Sequence, residues 1–488
     1  MIEHIKNIIL LCLVVVSVIL SSMLWYSTPD YAPLLDVINI DQPEEKAGYY
    51  QIEDIVKPRA IKLYTEDGQE KIAYPGNIAF TDTMEWLRTI SISNIEKYKD
   101  VPAASSTTSE QFEVGQDDSL ANENEQDINQ QQGQIVQGQM LQGQMLQGQD
   151  ALQQASGQYA NLLASERYLS NENSIENCIE IEFFDSMSIE YIKMMIPIDN
   201  NELDNFNDKL IKRVRIFVDE DTDTIKCLYI GNNETFLGNV NVTKRRFVEL
   251  VKDASEQQFT QEKLIIEFSK QPIRVAELSN SVFADPTAIR QIQEKDQSVI
   301  YTDGSRGLRI NTLRQTIEFT NPTISSRFQE ANFPDMIADA IDFLNRHQSW
   351  AGEYILSGIE VESVPNNEYT LVFQQHMQGL PIMNIDSFNC AEIRMKMKNN
   401  KVTRMNRSTT YLGEQTITAS IIPLEKQDMQ SIIERRAGIS GSEYDLFLSY
   451  YPISLDIETV KLQPAWILNQ NNSFVTAFDS QTGQEIRE

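Results

Sequence analysis

The chain has 488 residues, with 41 Lys and Arg against 71 Asp and Glu, a formal net charge of −30. Its length is enough for about two to four domains with cores of their own. The acidity argues against nucleic acid as a partner, because a polyanion binder needs a basic face, and the only basic cluster is Lys244-Arg245-Arg246.

Near the N-terminus, residues 8–25 (IILLCLVVVSVILSSMLW) carry no charge. At 1.5 Å of rise per residue they are long enough for a hydrocarbon core of about 30 Å, so they predict a single transmembrane helix. Cleavage points between Leu20 and Ser27 place Leu, Ile or Trp at −3, which predicts an uncleaved anchor. Lys6 and His4 precede the span while Asp30, Asp36 and Asp41 follow it, so the N-terminus is predicted in the cytoplasm and the bulk of the chain outside. Ser17 and Ser21 form a small-xxx-small pair that lets another helix approach, and Trp25 would sit at the outer interface.

Further along, residues 60–64 and 71–74 flank Glu66-Asp67-Gly68 and predict a β-hairpin. Met84, Leu87, Ile90 and Ile95 lie near helical spacing and predict a helix over 83–98. The composition then shifts: residues 100–166 contain no Lys or Arg, and Gly133, Gly138, Gly143 and Gly148 recur in a Gln-rich pattern. Residues 101–158 are predicted to be a disordered insertion, since so little apolar surface cannot offset the entropy of ordering. Beyond it, strands are predicted at 179–184, 191–196 and 263–268, a short helix near 205–211, a hairpin over 214–230 and a helix over 243–252 with Thr243 as its cap.

In the last two hundred residues a pattern repeats. A helix is predicted over 286–294 with Asp285 as cap, strands at 299–301, 308–310 and 316–319, and a helix over 334–350 followed by strands at 354–362 and 369–375. Strands at 391–398 and 402–412, a helix over 424–436 and strands at 460–468 and 474–478 complete the chain. Helix followed by antiparallel strands occurs twice, which predicts two related α+β units, each an antiparallel sheet packed by a helix.

No catalytic constellation emerges. His347 and His376 lie in no H-E-x-x-H, and G-x-S-x-G, S-x-x-K and phosphate-cradling loops are absent. His347 reads as a capping or partly exposed residue near a helix end, and His376 as exposed or at the core edge. Asp219, Asp221 and Asp223 begin like a calcium loop but lack the Gly and the Glu it needs, so they read as an acidic turn. Cys12, Cys178, Cys227 and Cys390 form no C-x-x-C pair, and nothing in their spacing supports a bridge or a zinc site. The sequence predicts no enzyme activity, no metal and no cofactor.

The apolar span ending in Leu24-Trp25, Phe283-Ala284-Asp285-Pro286, Tyr301-Thr302-Asp303-Gly304 with Arg306-Gly307, Asn321-Pro322, Gly379-Leu380-Pro381 and Pro464-Ala465-Trp466 resemble, in this order, the YycH family of low-GC Gram-positive bacteria. That resemblance implies an α+β protein with three extracytoplasmic domains, the last two alike, here bounded at 29–275, 276–380 and 381–488 after the tail and span at 1–28. It implies a non-catalytic regulator of a WalK (YycG) type sensor histidine kinase controlling cell-wall metabolism, acting with a YycI-type companion through the membrane. The alternative from another class is a membrane-anchored scaffold that binds the cell wall or the division machinery.

Overall fold

The computed structural model describes residues 49–98, 176–199, 209–219, 222–231, 234–257, 262–322, 332–363, 366–385, 388–437, 444–470 and 473–486. The predicted span with Cys12, Ser17, Ser21 and Trp25, and the Gln-rich stretch 101–158, lie outside them. Among the described residues no helix is long and apolar enough to cross a membrane.

Three antiparallel sheets dominate, so the protein is α+β with most of its order in strands. The first holds seven strands: β1 (Ala60–Tyr64), β2 (Glu70–Ala73), β3 (Ile92–Lys97), β4 (Cys178–Ser188), β5 (Leu210–Asp219), β6 (Thr224–Gly231) and β7 (Thr235–Val240). Their order is β2-β1-β4-β5-β6-β7-β3. The predicted hairpin forms as β1 and β2, with Gly68 at φ +75° in the turn.

Three predictions in this region need correction. The helix expected over 83–98 is α2 (Ile78–Leu87), preceded by a single-turn helix α1 (Ile52–Ile55). Asn77 caps α2 by accepting from the Ala79 N–H, and Ile92–Lys97 is instead edge strand β3 against β7. The strand expected at 191–196 is the helix α3 (Ile189–Lys193), whose cap Ser188 accepts from Tyr191 N–H. A short run that is mostly apolar, here with Tyr191, Ile192, Met195 and Ile196 buried, reads alike as helix or strand, and the cap decides. Leu210 and Ile211, expected at the end of a helix, open strand β5, while 200–208 lie outside the described residues. The helix expected over 243–252 runs over Lys244–Glu256 (α4), burying Phe247, Val251 and Ala254, without a cap bond from Thr243.

The second sheet holds β9 (Arg290–Gln293), β10 (Val299–Thr302), β11 (Gly307–Asn311), β12 (Thr316–Thr320), β13 (Glu353–Ser363), β14 (Glu368–Met377), β15 (Leu380–Pro381), β16 (Glu392–Lys398) and β17 (Lys401–Ser408). It runs β13-β14-β16-β17-β12-β11-β10-β9, with β15 on β14. A helix α5 (Val275–Val282), which the periodicity did not reveal, leads into it. The helix expected over 286–294 is one 3-10 turn, Pro286–Ala288, capped by Asp285, and then β9, whose single apolar residue Ile292 pairs across to Ile300. Helix α6 (Phe333–Arg346) packs on this unit through Met336, Ile337, Ile341 and Leu344, as the spacing predicts.

The third sheet holds β8 (Lys263–Pro272), β18 (Thr410–Ile421), β19 (Asp445–Ser454), β20 (Thr459–Gln470) and β21 (Ser473–Asp479), in the order β18-β8-β20-β19 with β21 on β20. Helix α7 (Lys426–Ala437) covers it with Met429 and Ile433. The strand expected at 402–412 is split at Thr409, where the chain leaves the second sheet as β17 and enters the third as β18. Strand β8 belongs to the third sheet and β15–β17 to the second. One apolar core runs through the first two units, and the third has its own.

Candidate functional site

Two features join the three units. The first is a buried charge seam. Strands alternate their side chains between two faces, and one face of the first sheet is apolar through Leu63, Ile179, Ile216 and Cys227, each opposite the next. The other face carries Lys62 opposite Glu180 opposite Arg215, and next to this row Glu182 opposite Arg213.

This charged face is not in water. Glu180 is 1% exposed, Lys62 6% and Glu182 8%. Lys62 Nζ lies 3.0 Å from Glu180 Oε1 and also pairs with Glu182, while Arg215 Nε donates to Glu180 at 2.9 Å. What covers the face comes from the other end of the chain: Arg59 donates to both oxygens of Asp445 in β19, at 2.9 and 3.3 Å, and to Glu182 at 3.3 Å. Its guanidinium also sits 4.7 Å from the centroid of the Phe447 ring. Burial pushes Glu180 toward its neutral form, but Lys62, Arg215 and Arg213 outweigh it and hold the carboxyl well below the usual range. Asp445 is held low in the same way by Arg59 against its own burial. A crevice beside this pair, lined by Tyr74, Lys426, Phe447 and Trp466 among others, has room for about one water.

The second feature is a three-way joint at the turn between β14 and β15. Gln378 and Gly379 both have positive φ, +49° and +77°, which makes this a two-residue hairpin turn of the kind that matches strand twist. The Gln378 side-chain carbonyl accepts from Tyr450 Oη at 2.6 Å and from Leu264 N–H at 3.2 Å, both in the third sheet. Its backbone carbonyl accepts from Lys263 Nζ at 3.2 Å. Gly379 lies against Pro75, just beyond β2 of the first sheet, so closely that a Cβ would come within 2.0 Å of the Pro75 carbonyl oxygen.

His376 stands two residues before this turn. It is 4% exposed and edge-on to Phe184 of β4 at 5.2 Å, so it is not the exposed or core-edge residue expected from the sequence. Its Nε2 has no hydrogen-bond partner among the described residues. Burial pushes its imidazole down to about 4. A histidine held neutral in the fold stabilises it fully above the unfolded value of 6.5, and loses that contribution as pH falls from 6.5 toward 4 while only the unfolded chain takes up the proton. The loss is worth about 3 kcal/mol. Urea titrations across this window should show His376→Leu with a shallower fall in stability than the parent; an unchanged slope would remove His376 as its cause. His347 behaves similarly: it ends α6, bonds Ser281 Oγ at 3.2 Å, and is pushed down to about 4 by burial and then by Arg346 and Arg306.

The remaining sequence candidates do not converge. Cys178, Cys227 and Cys390 are all buried free thiols, and Cys178 and Cys227 lie on opposite sides of β5. Asp219 and Asp223 flank the β5–β6 turn, where Lys244 pairs with Asp223 at 2.9 Å; Asp221 lies outside the described residues. Among the described residues no group of three or more His, Cys, Asp and Glu could hold a metal ion. Neither the seam nor the joint could be found from sequence spacing, because each pairs residues hundreds of positions apart.

Fold and joints together define a sheet-rich α+β protein whose buried charges serve to hold separate units in one arrangement. The chain belongs to the YycH family: residues 3–115 match the YycH protein N-terminal domain and residues 261–482 the YycH protein C-terminal domain. It is 22% identical over 219 residues to the two-component system WalR/WalK regulatory protein YycH of Bacillus subtilis (strain 168), a match spanning 43% of this chain and 46% of that one. The chain thus aligns with about half the length of that relative. Its fold is similar to the crystal structure of YycH from Bacillus subtilis, with a TM-score of 0.52 and 14% identity over 88% of this chain and 97% of that one.

Proposed function

We propose that this protein is a non-catalytic, membrane-anchored regulator of a WalR/WalK-type two-component system, and so of cell-wall metabolism. The observation that carries the reading is family membership together with similarity to a relative named for regulating that system. The three sheets are its three extracytoplasmic units, and residues 8–25 are its single span, N-terminus inside. Partners are the sensor kinase and a YycI-type single-span companion.

Two structural facts support a role in transmitting contacts. The described chain begins at Tyr49, and Tyr50 is clamped on α6 by Asn345, whose side chain accepts from Tyr50 N–H at 3.1 Å and donates to its carbonyl at 2.8 Å. The segment that follows the anchor is thereby tied to the second unit, and through Gln378 and Arg59 to the third. With Ser17, Ser21 and Trp25 against the kinase helices, a differential contact energy of about 1–3 kcal/mol would shift the kinase between its states.

The test uses the full-length chain in its native membrane. Replacing Ser17 and Ser21 by Leu should reduce co-purification of the histidine kinase and change output from a WalR-dependent promoter. Unchanged output and co-purification would place the contact elsewhere. Recovery of wall-synthesis or division proteins without a kinase, with saturable binding to peptidoglycan, would replace the regulator by the scaffold.

A further inference from the structure

The crevice beside Arg59 and Asp445 lies between β1 and β2 of the first unit and α7, β19 and β20 of the third. Ile72, Leu446, Leu448 and Trp466 give it apolar walls, and its charged lining is Arg59, Glu182 and Lys426. The carboxylates near it are already committed. Arg59 holds both oxygens of Asp445, and Glu182 is shared between Arg59 and Lys62. Lys426 is the cation left over, for it makes no ion pair among the described residues. Burial, then Lys62 and Arg59, hold its ammonium below the usual lysine range against the pull of Glu182 and Asp445. Tyr74, which lines the same space, has a hydroxyl without a hydrogen bond among the described residues. Buried charges are ordinarily paired, so a cation and a neutral donor left over around one space point to an anion in it.

We propose that the crevice binds a chloride ion, with Lys426 as its counter-charge and Tyr74 as a neutral donor. Size selects the ion: the space holds about one water, which admits a single atom of that order and excludes a sulfate or a phosphate. The apolar walls favour the same choice, since they offer nothing to the further oxygens of an oxyanion. Glu182 is the opposing group, and its charge is offset by the Lys62 and Arg59 that pair with it. Lys426 opens α7, so the positive end of that helix adds to the attraction. Because the lining comes from both units, a bound chloride adds to the contact that holds the third unit on the first. The site is independent of the kinase contact proposed for the span.

Full-length protein in detergent, melted in mixtures of sodium chloride and sodium gluconate at one ionic strength, tests this, because gluconate is too large for the crevice. As chloride replaces gluconate, the parent's melting temperature should rise by a few degrees and level off as the site fills. Lys426→Met should lose that rise. Lys252→Met, an equal loss of charge at an exposed position on α4, should keep it. In chlorine NMR the parent should broaden the chloride line more than Lys426→Met does at the same concentration. A parent that melts alike in both salts, or that broadens the line no more than Lys426→Met, means that the crevice holds water, and the proposal fails. A rise that persists in Lys426→Met overturns it as well, since the ion then sits elsewhere.

Discussion

Gly379→Ala is expected to cost about 3 kcal/mol or more, the sum of a strained backbone and a steric clash with nowhere to relax. The backbone part arises because φ is +77°, a region that L side chains avoid. The steric part arises because the new Cβ would fall 2.0 Å from the Pro75 carbonyl oxygen and 3.1 Å from Tyr74 Cβ. Neither side can easily step aside: Tyr74 and Pro75 follow directly on β2, and Gln378 is held from the third sheet by Tyr450, Leu264 and Lys263. Gly304→Ala is the control, since φ there is +93° with nothing within 4 Å of the added carbon. Urea denaturation should show Gly304→Ala losing only the backbone cost, about 1 kcal/mol. Equal losses in the two variants would mean that the joint does not hold Gly379 against Pro75.

Glu180→Gln is expected to cost about 3–5 kcal/mol, because removing one partner of a buried ion network leaves the others uncompensated. Lys62 and Arg215 both point at this carboxylate, and Arg213 lies 3.8 Å from it. The triple replacement Lys62→Met, Glu180→Leu, Arg215→Met should recover most of that loss, since an apolar row of similar volume avoids the cost of desolvating ions. The pH behaviour separates this seam from the histidines. Glu180, Glu182 and Asp445 have folded values depressed below those of the unfolded chain, so their contribution is complete above the ordinary carboxylate range and is lost as pH falls through and below it. The parent should therefore show a second, steeper loss of stability below the window of His376, and Glu180→Gln should flatten that lower limb alone. A variant as stable as the parent, with the same acid limb, would mean that the seam is hydrated.

Much of the local order is legible in the residues themselves. Asp67-Gly68 marks the first hairpin, Met336, Ile337, Ile341 and Leu344 mark α6, and the alternation Ile179-Glu180-Ile181-Glu182 assigns two faces to β4. Where the residues mislead, a short-range signal has two solutions. The run around Tyr191 is too short for its two charged residues, Glu190 and Lys193, to set a period, and a two-residue alternation that crosses Thr409 does not reveal that the chain changes sheets there.

Which residues share a face follows from the strand period, and so the order of residues alone puts Lys62, Glu180 and Arg215 on the opposite side from Leu63 and Ile179. Whether that face meets water does not follow. Arg59 and Asp445 are 386 residues apart, and only the packing of the third unit on the first turns a charged, nominally solvent-facing surface into a deeply buried ion network. The period of a strand is a property of its backbone, whereas burial depends on what is packed against it, and here the covering unit is supplied by distant strands. The same holds for Gly379: its need for positive φ belongs to a local turn, but its need to lack a side chain arises only where Pro75 meets it.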